Sequence, residues 1–199
     1  MSLFFVRIPL IQLVLGTVSY AVLGKLESSG DENLDTKFAF LHKWGLGWGF
    51  LCIWVISLAR NRIGVNANAN RAAARLDRPD QHIYKVMDRN ASVDAPYVLM
   101  ATTGAAGRFN RAQRGAFNTD ESMPTFLVNT VLASGIFGPF VLALVLVAAW
   151  GRITFALGYT QAADKRGSGL TKAFIAEKWC EGLVLIIGLK ALLGARAPL

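Results

Sequence analysis

Asn110-Arg-Ala-Gln-Arg114-Gly-Ala-Phe-Asn118-Thr-Asp-Glu121-Ser-Met-Pro124 is the stretch on which the reading of this chain turns. Arg111, Arg114, Asn118 and Glu121 follow one another at spacings of three, four and three residues. On a helix these four side chains fall within an arc of about 80°. Thr125 continues the same face, while Ala112, Phe117, Met123, Phe126 and Leu127 occupy the others. A polar stripe on an otherwise apolar helix points to a bundle interior or a wet cavity, because an ionisable group at bilayer depth costs about 2.5–3.5 kcal/mol. The same residues also suit a helix start at the membrane surface, with Arg and Glu pairing at i,i+7 or snorkelling.

The surrounding chain supplies the membrane. Of 199 residues, 53% are hydrophobic and 17% charged, and the mean hydropathy is +0.39. A soluble domain carries about 25% charged residues. The apolar residues are bunched into runs, which excludes a disordered chain and argues against a soluble enzyme. The two cysteines, Cys52 and Cys180, each sit inside an apolar stretch, so no disulfide framework is expected.

Five spans are expected. The first, Leu3 to Gly24, is broken only by Arg7 and Gln12 and reads as a retained span rather than a cleaved signal. A net acidic stretch, Lys25 to Lys37, leads to a second run from about Phe38 to Ala59, with Trp44, Trp48 and Trp54 suited to the headgroup layer. Arg60 to Arg114 is a long polar segment with ten basic residues against four acids, Asp77, Asp80, Asp88 and Asp94. Within it, His82–Met87 and Tyr97–Ala101 predict a small hairpin. A third span ends near Phe137. Gly138-Pro139 then makes a turn into Phe140–Tyr159, and Thr171–Leu193 follows a short basic loop. The positive-inside rule puts 60–110 and 160–170 on the cytoplasmic side. The net charge of +8 therefore reads as topology, not nucleic-acid binding.

The chemistry is expected to gather at the cytoplasmic helix ends. Arg152, Phe155 and Tyr159 share a face, and Arg166 lies seven residues beyond Tyr159. These arginines, with Arg60, suit a small polyanion, because a guanidinium binds carboxylates bidentately and stays charged. Glu121 suits an ammonium group. A ligand with two carboxylates, one ammonium and a thiol, such as glutathione, has that pattern. His42 and His82 lie far apart and no Cys/His cluster exists, so no metal site is expected. Gly45 and Gly49 read as helix-packing positions. Glu177, Lys178 and Glu181 read as an interfacial salt-bridged turn.

The order Arg, three residues, Asn, two residues, Glu, two residues, Pro from Arg114 to Pro124 resembles the signature of the MAPEG superfamily, membrane proteins of eicosanoid and glutathione metabolism. Gly151-Arg152-Ile-Thr-Phe155-Ala-Leu-Gly158-Tyr159 resembles its second motif, and Val55–Arg60 is similar to the end of its first helix. The resemblance implies an all-α integral membrane protein: a four-helix bundle, here at residues 38–199, preceded by an additional N-terminal span at residues 1–37. It also implies a homotrimer with sites between subunits, in the endoplasmic reticulum of a eukaryote or the inner membrane of a bacterium. By position, Arg114, Asn118 and Glu121 would bind glutathione as co-substrate, with help from Arg60 and Tyr159, and Arg166 would stabilise its thiolate. Arg111 and Arg152 join them from the stripe readings above. Glutathione would then attack a lipophilic electrophile or reduce a lipid hydroperoxide. Ser122 and Phe155 stand where leukotriene-forming members carry tyrosines, which argues against that activity. A non-catalytic lipid-binding scaffold is the competing function. A small transporter is less favoured, because Arg111, Arg114 and Arg166 cluster near one face.

Overall fold

In the computed structural model, residues 2–27, 34–76, 81–86, 92 and 98–194 are described. Most of the expected acidic connection (28–33) and the centre of the expected hairpin lie outside them. So do Asp77, Asp80, Asp88 and Asp94.

Helix α1 covers Ser2–Glu27, with Pro9 inside it. The expected second span is not one helix. It is broken into α2, Leu34–Lys43, and α3, Gly47–Ala69, and the helical axes on either side of the break meet at 85°. Gly45 makes the corner with φ +63°, a conformation that costs a side-chain-bearing residue energy. It is thus a turn residue and not a packing position. Gly49 does pack: a Cβ there would lie 3.0 Å from Ser134 Oγ. At its far end α3 runs beyond Ala59 as far as Ala69, with Asn70 as its C-cap. Asn66 is buried and donates from Nδ2 to Thr160 Oγ1 at 2.8 Å, and Asn70 donates to the Asn66 carbonyl at 2.8 Å. Tertiary hydrogen bonding overrides the modest helix propensity of asparagine here.

A short helix, α4 (Arg71–Ala74), precedes an antiparallel pair, β1 (Tyr84–Val86) and β2 (Val98–Met100). Their register pairs Lys85 with Leu99, which agrees with the expected hairpin. Buried Asn110 pins the hairpin's base. It accepts from Ile83 N at 2.9 Å and donates to the carbonyls of Ile83 and Ala101 at 2.8 Å each.

Helix α5, Gly104–Gln161, folds back on itself. Phe137 leaves the helical region (φ −121°, ψ 45°) immediately before Gly138-Pro139, where proline's missing N–H disfavours continuation. The two arms, 104–136 and 138–161, are antiparallel: Arg111 bonds the Tyr159 carbonyl and Asn118 meets Arg152. Trp48 lies against Gly138 so closely that a Cβ there would collide with its ring. That contact puts the α2–α3 corner and the turn at one end. A 3-10 turn, Ala163–Arg166, leads into α6, Gly167–Leu193. The basic connections sit together at the opposite end, since Arg111 bonds both Thr102 O and Gln161 O.

Helices α3 and α6 both dock on this hairpin. Cys52, Ile56, Phe126, Val141, Val145 and Cys180 form the core toward the turn, where both cysteines are free and buried. Ile63, Ala67, Ala112, Ala116, Phe155 and Ala156 form the core toward the basic end. Small residues bring the backbones together: a Cβ on Gly151 would lie 2.6 Å from Ala173 N and 2.8 Å from Gly169 O. Outward faces remain apolar, with Val128, Val131, Leu132, Leu146, Trp150 and Leu185 exposed. Among the described helices, Gly104–Gln161 passes as long and apolar enough to cross a membrane, and the bent pair at 36–74 would make a second. Helix α6 carries Lys172, Glu177, Lys178, Glu181 and Lys190. Three of these charges are neutralised in ion pairs, Glu177 by Arg152 and Lys178 by Glu181.

Candidate functional site

The stripe residues divide into three groups by what they touch. Arg114 and Glu121 face outward from the first arm of α5 and pair with each other, Nη1 to Oε1 at 2.8 Å, with side chains 52% and 56% exposed. This is the i,i+7 pairing that the spacing allowed. A pair so exposed contributes about 0–1 kcal/mol. It can open at little cost when a ligand offers a carboxylate to one partner and an ammonium to the other.

Asn118 lies between them but turns inward, and Arg152 meets it. The Arg152 guanidinium is buried and its donors are fully used. Nε and Nη2 fork onto Glu177 at 2.7 and 2.6 Å. Nη2 also donates to Ser122 Oγ at 2.7 Å, and Nη1 donates to Asn118 Oδ1 at 2.9 Å and to its carbonyl at 3.4 Å. Those contacts satisfy every N–H that a guanidinium carries. Arg152 therefore has protein partners where the sequence suggested a small polyanion. Glu177, expected in a surface turn with Lys178 and Glu181, is instead its buried counter-ion. The Lys178–Glu181 pair itself forms, at 2.7 Å.

The third group closes the basic end. Arg111 directs Nη1 to Thr102 O at 2.7 Å and its other donors to the carbonyls of Tyr159, Thr160 and Gln161 at 3.1–3.4 Å. Carbonyls at a helix C-terminus lack intrahelical partners, and a cation satisfies both their hydrogen bonding and the helix dipole. Tyr159 stacks on Phe155, ring centroids 5.9 Å apart, and the exposed Arg166 guanidinium lies 5.9 Å from the Tyr159 ring.

Arg60 does not join these groups within one chain. It forks onto Asp120, with Nη2 to Oδ2 at 2.7 Å, both side chains 39% exposed. Asp120 is two residues from Asn118, hence about 160° round the helix from it. Periodicity excluded Asp120 from the stripe, and no local signal identified it as the partner of Arg60. The hairpin reaches the same end of the molecule: His82 lies 5.6 Å from the ring of Phe117, on the helix that carries the stripe.

A family model described as the MAPEG family matches residues 46–177, more than half of the 199-residue chain. The match takes in α3, the β-hairpin, all of α5 and α6 as far as Glu177, and leaves α1 and α2 outside. No curated protein matches the chain.

Proposed function

The chain belongs to the MAPEG family of membrane-associated proteins of glutathione or eicosanoid metabolism, and from that premise we propose that it is a glutathione-dependent membrane transferase, a lipid hydroperoxide peroxidase, or both. The observation that most supports this reading is the half-exposed Arg114–Glu121 pair beside Asn118. Arg114 takes a glutathione carboxylate, Glu121 takes its ammonium, and the exposed Arg166 at the same end of the molecule faces the sulfur. Tyr159 holds Arg166 from below. Arg111 and Arg152 act behind the site, one tying the helix ends and the other holding Asn118. The bundle crosses the membrane several times with its basic end in the cytoplasm. It assembles as a homotrimer, in which a neighbouring subunit closes the open face and can bring Arg60 to it.

The chemistry asked of these residues is modest. A free thiol has a pKa of about 8.5, and the thiolate is the nucleophile. Lowering that value by two units takes about 2.7 kcal/mol of differential stabilisation. A nearby arginine in a partly desolvated site is enough for that. In conjugation, the thiolate sulfur bonds to the electrophilic carbon and its leaving group departs or its π-bond takes a proton. In peroxide reduction, a lipid hydroperoxide and two glutathiones become the lipid alcohol, water and glutathione disulfide.

The test is an ultraviolet titration of the detergent-purified protein with glutathione at neutral pH. A saturable thiolate band is expected, and Arg166→Ala should diminish it with less effect on affinity. A protein that neither binds glutathione by calorimetry nor yields the band would instead be a lipid-binding scaffold. Unchanged thiolate formation in Arg166→Ala would remove Arg166 from its role.

A further inference from the structure

We propose that Glu177 is a positioning residue for the glutathione site. It acts through Arg152 to fix which way the Asn118 amide faces, an inference that rests on the glutathione reading above. Arginine carries donors and no acceptor. The Asn118 atom 2.9 Å from Arg152 Nη1 is therefore Oδ1. Nδ2, with its two N–H donors, is the other branch of the planar amide, and among the described residues it makes no hydrogen bond. Asn118 is half-buried on the stripe that carries Arg114 and Glu121. It offers donors to a ligand, so it reads an acceptor, a carboxylate or a peptide carbonyl.

The arrangement is held from two sides. Glu177 fixes the Arg152 fork through Nε and Nη2, in a pair whose side chains are 11% and 10% exposed. Ser122 accepts from Nη2 at 2.7 Å while donating its own hydrogen to Thr119 O at 3.1 Å. With the guanidinium pinned in its plane, Nη1 stays on Asn118 Oδ1. Released from it, the amide can turn over and present its oxygen to the ligand, an acceptor facing an acceptor. Glu177 touches no ligand in this scheme. It determines that a neighbouring side chain donates rather than accepts.

The experiment is a thermodynamic cycle on the full chain, with reduced glutathione binding read by calorimetry. Four proteins are compared: wild type, Arg152→Met/Glu177→Leu, Asn118→Ala, and the combination of all three substitutions. Replacing both charges by apolar residues of similar volume leaves no unpaired charge, so the bundle should stay folded. Circular dichroism and a cooperative thermal transition check this. Removing the pair should weaken binding about tenfold when Asn118 is present, the size of a lost charge-assisted hydrogen bond. In the Asn118→Ala background the same removal should change it by less than about twofold. Equal losses in both backgrounds, or no loss in either, would overturn the proposal while leaving the glutathione reading intact. A wild-type protein that does not bind glutathione overturns both. If the double substitution fails to fold, Glu177→Gln replaces it in the cycle. It keeps the side chain's shape and one acceptor, and the same dependence on Asn118 decides.

Discussion

Glu177→Leu should be among the most damaging single changes in this protein, and its size can be worked from the geometry. The carboxylate accepts two bonds from Arg152, at 2.7 and 2.6 Å, in a pair about one-tenth exposed. Each charge-assisted bond is worth about 1.5–3 kcal/mol. Removing one partner of a buried ion pair typically costs about 3–5 kcal/mol, because the other charge stays behind. Arginine cannot escape by losing its proton. For a chain of this length about 1 kcal/mol moves the melting temperature by about 2–4 °C, so a drop of about 10 °C is expected. The assay is thermal unfolding by circular dichroism in one detergent at fixed concentration. Arg152→Met/Glu177→Leu should recover most of the loss, since it removes both charges together. Lys178→Ala, which breaks the much more exposed pair with Glu181, should cost less than about 1 kcal/mol. A Glu177→Leu protein that melts with the wild type, or a double variant no better than the single, would refute the buried-pair argument.

Two further outcomes test the packing. Gly151→Leu would force a side chain against Ala173 N and Gly169 O, backbone atoms 2.6 and 2.8 Å from the new Cβ. It should separate α6 from α5 and lower stability by several kcal/mol, about the cost of overpacking a rigid core or more. Gly188→Leu, with open space around it, serves as the control in the same melting assay. Asn110→Ala removes three hydrogen bonds that hold the hairpin base. Limited proteolysis within residues 81–101 should accelerate at least several-fold, while the melting temperature of the helical bundle shifts little.

Much of the architecture could be read from local pattern. Gly138-Pro139 marked the fold-back because proline constrains both itself and the residue before it. The β-prone pieces His82–Met87 and Tyr97–Ala101 marked the hairpin, whose paired strands are Tyr84–Val86 and Val98–Met100. Spacing alone put Arg114 and Glu121 on one face. What escaped was set by contacts across helices. Glu177 sits next to Lys178 in sequence, so a surface turn was the economical reading; its partner is 25 residues away on another helix. Asp120 lies off the stripe, and only the docking of α3 shows that it meets Arg60. Asn66 falls within the polar segment that follows Arg60, yet it lies buried in α3, where it donates to Thr160 across the helix interface. Gly45 and Gly49 look alike in sequence, yet one turns the chain and the other admits Ser134.

The Arg152–Glu177 pair also has a consequence in time. Helix α6 is made after α5, and by itself it carries too many charges to pass as a spanning segment. Glu177 counts against it only until it meets a guanidinium already waiting on the preceding hairpin. During synthesis the last helix thus has a berth prepared for it. It is the docking of α6 on α5 that pairs Glu177, and a chain ending after α5 would leave Arg152 without its counter-ion.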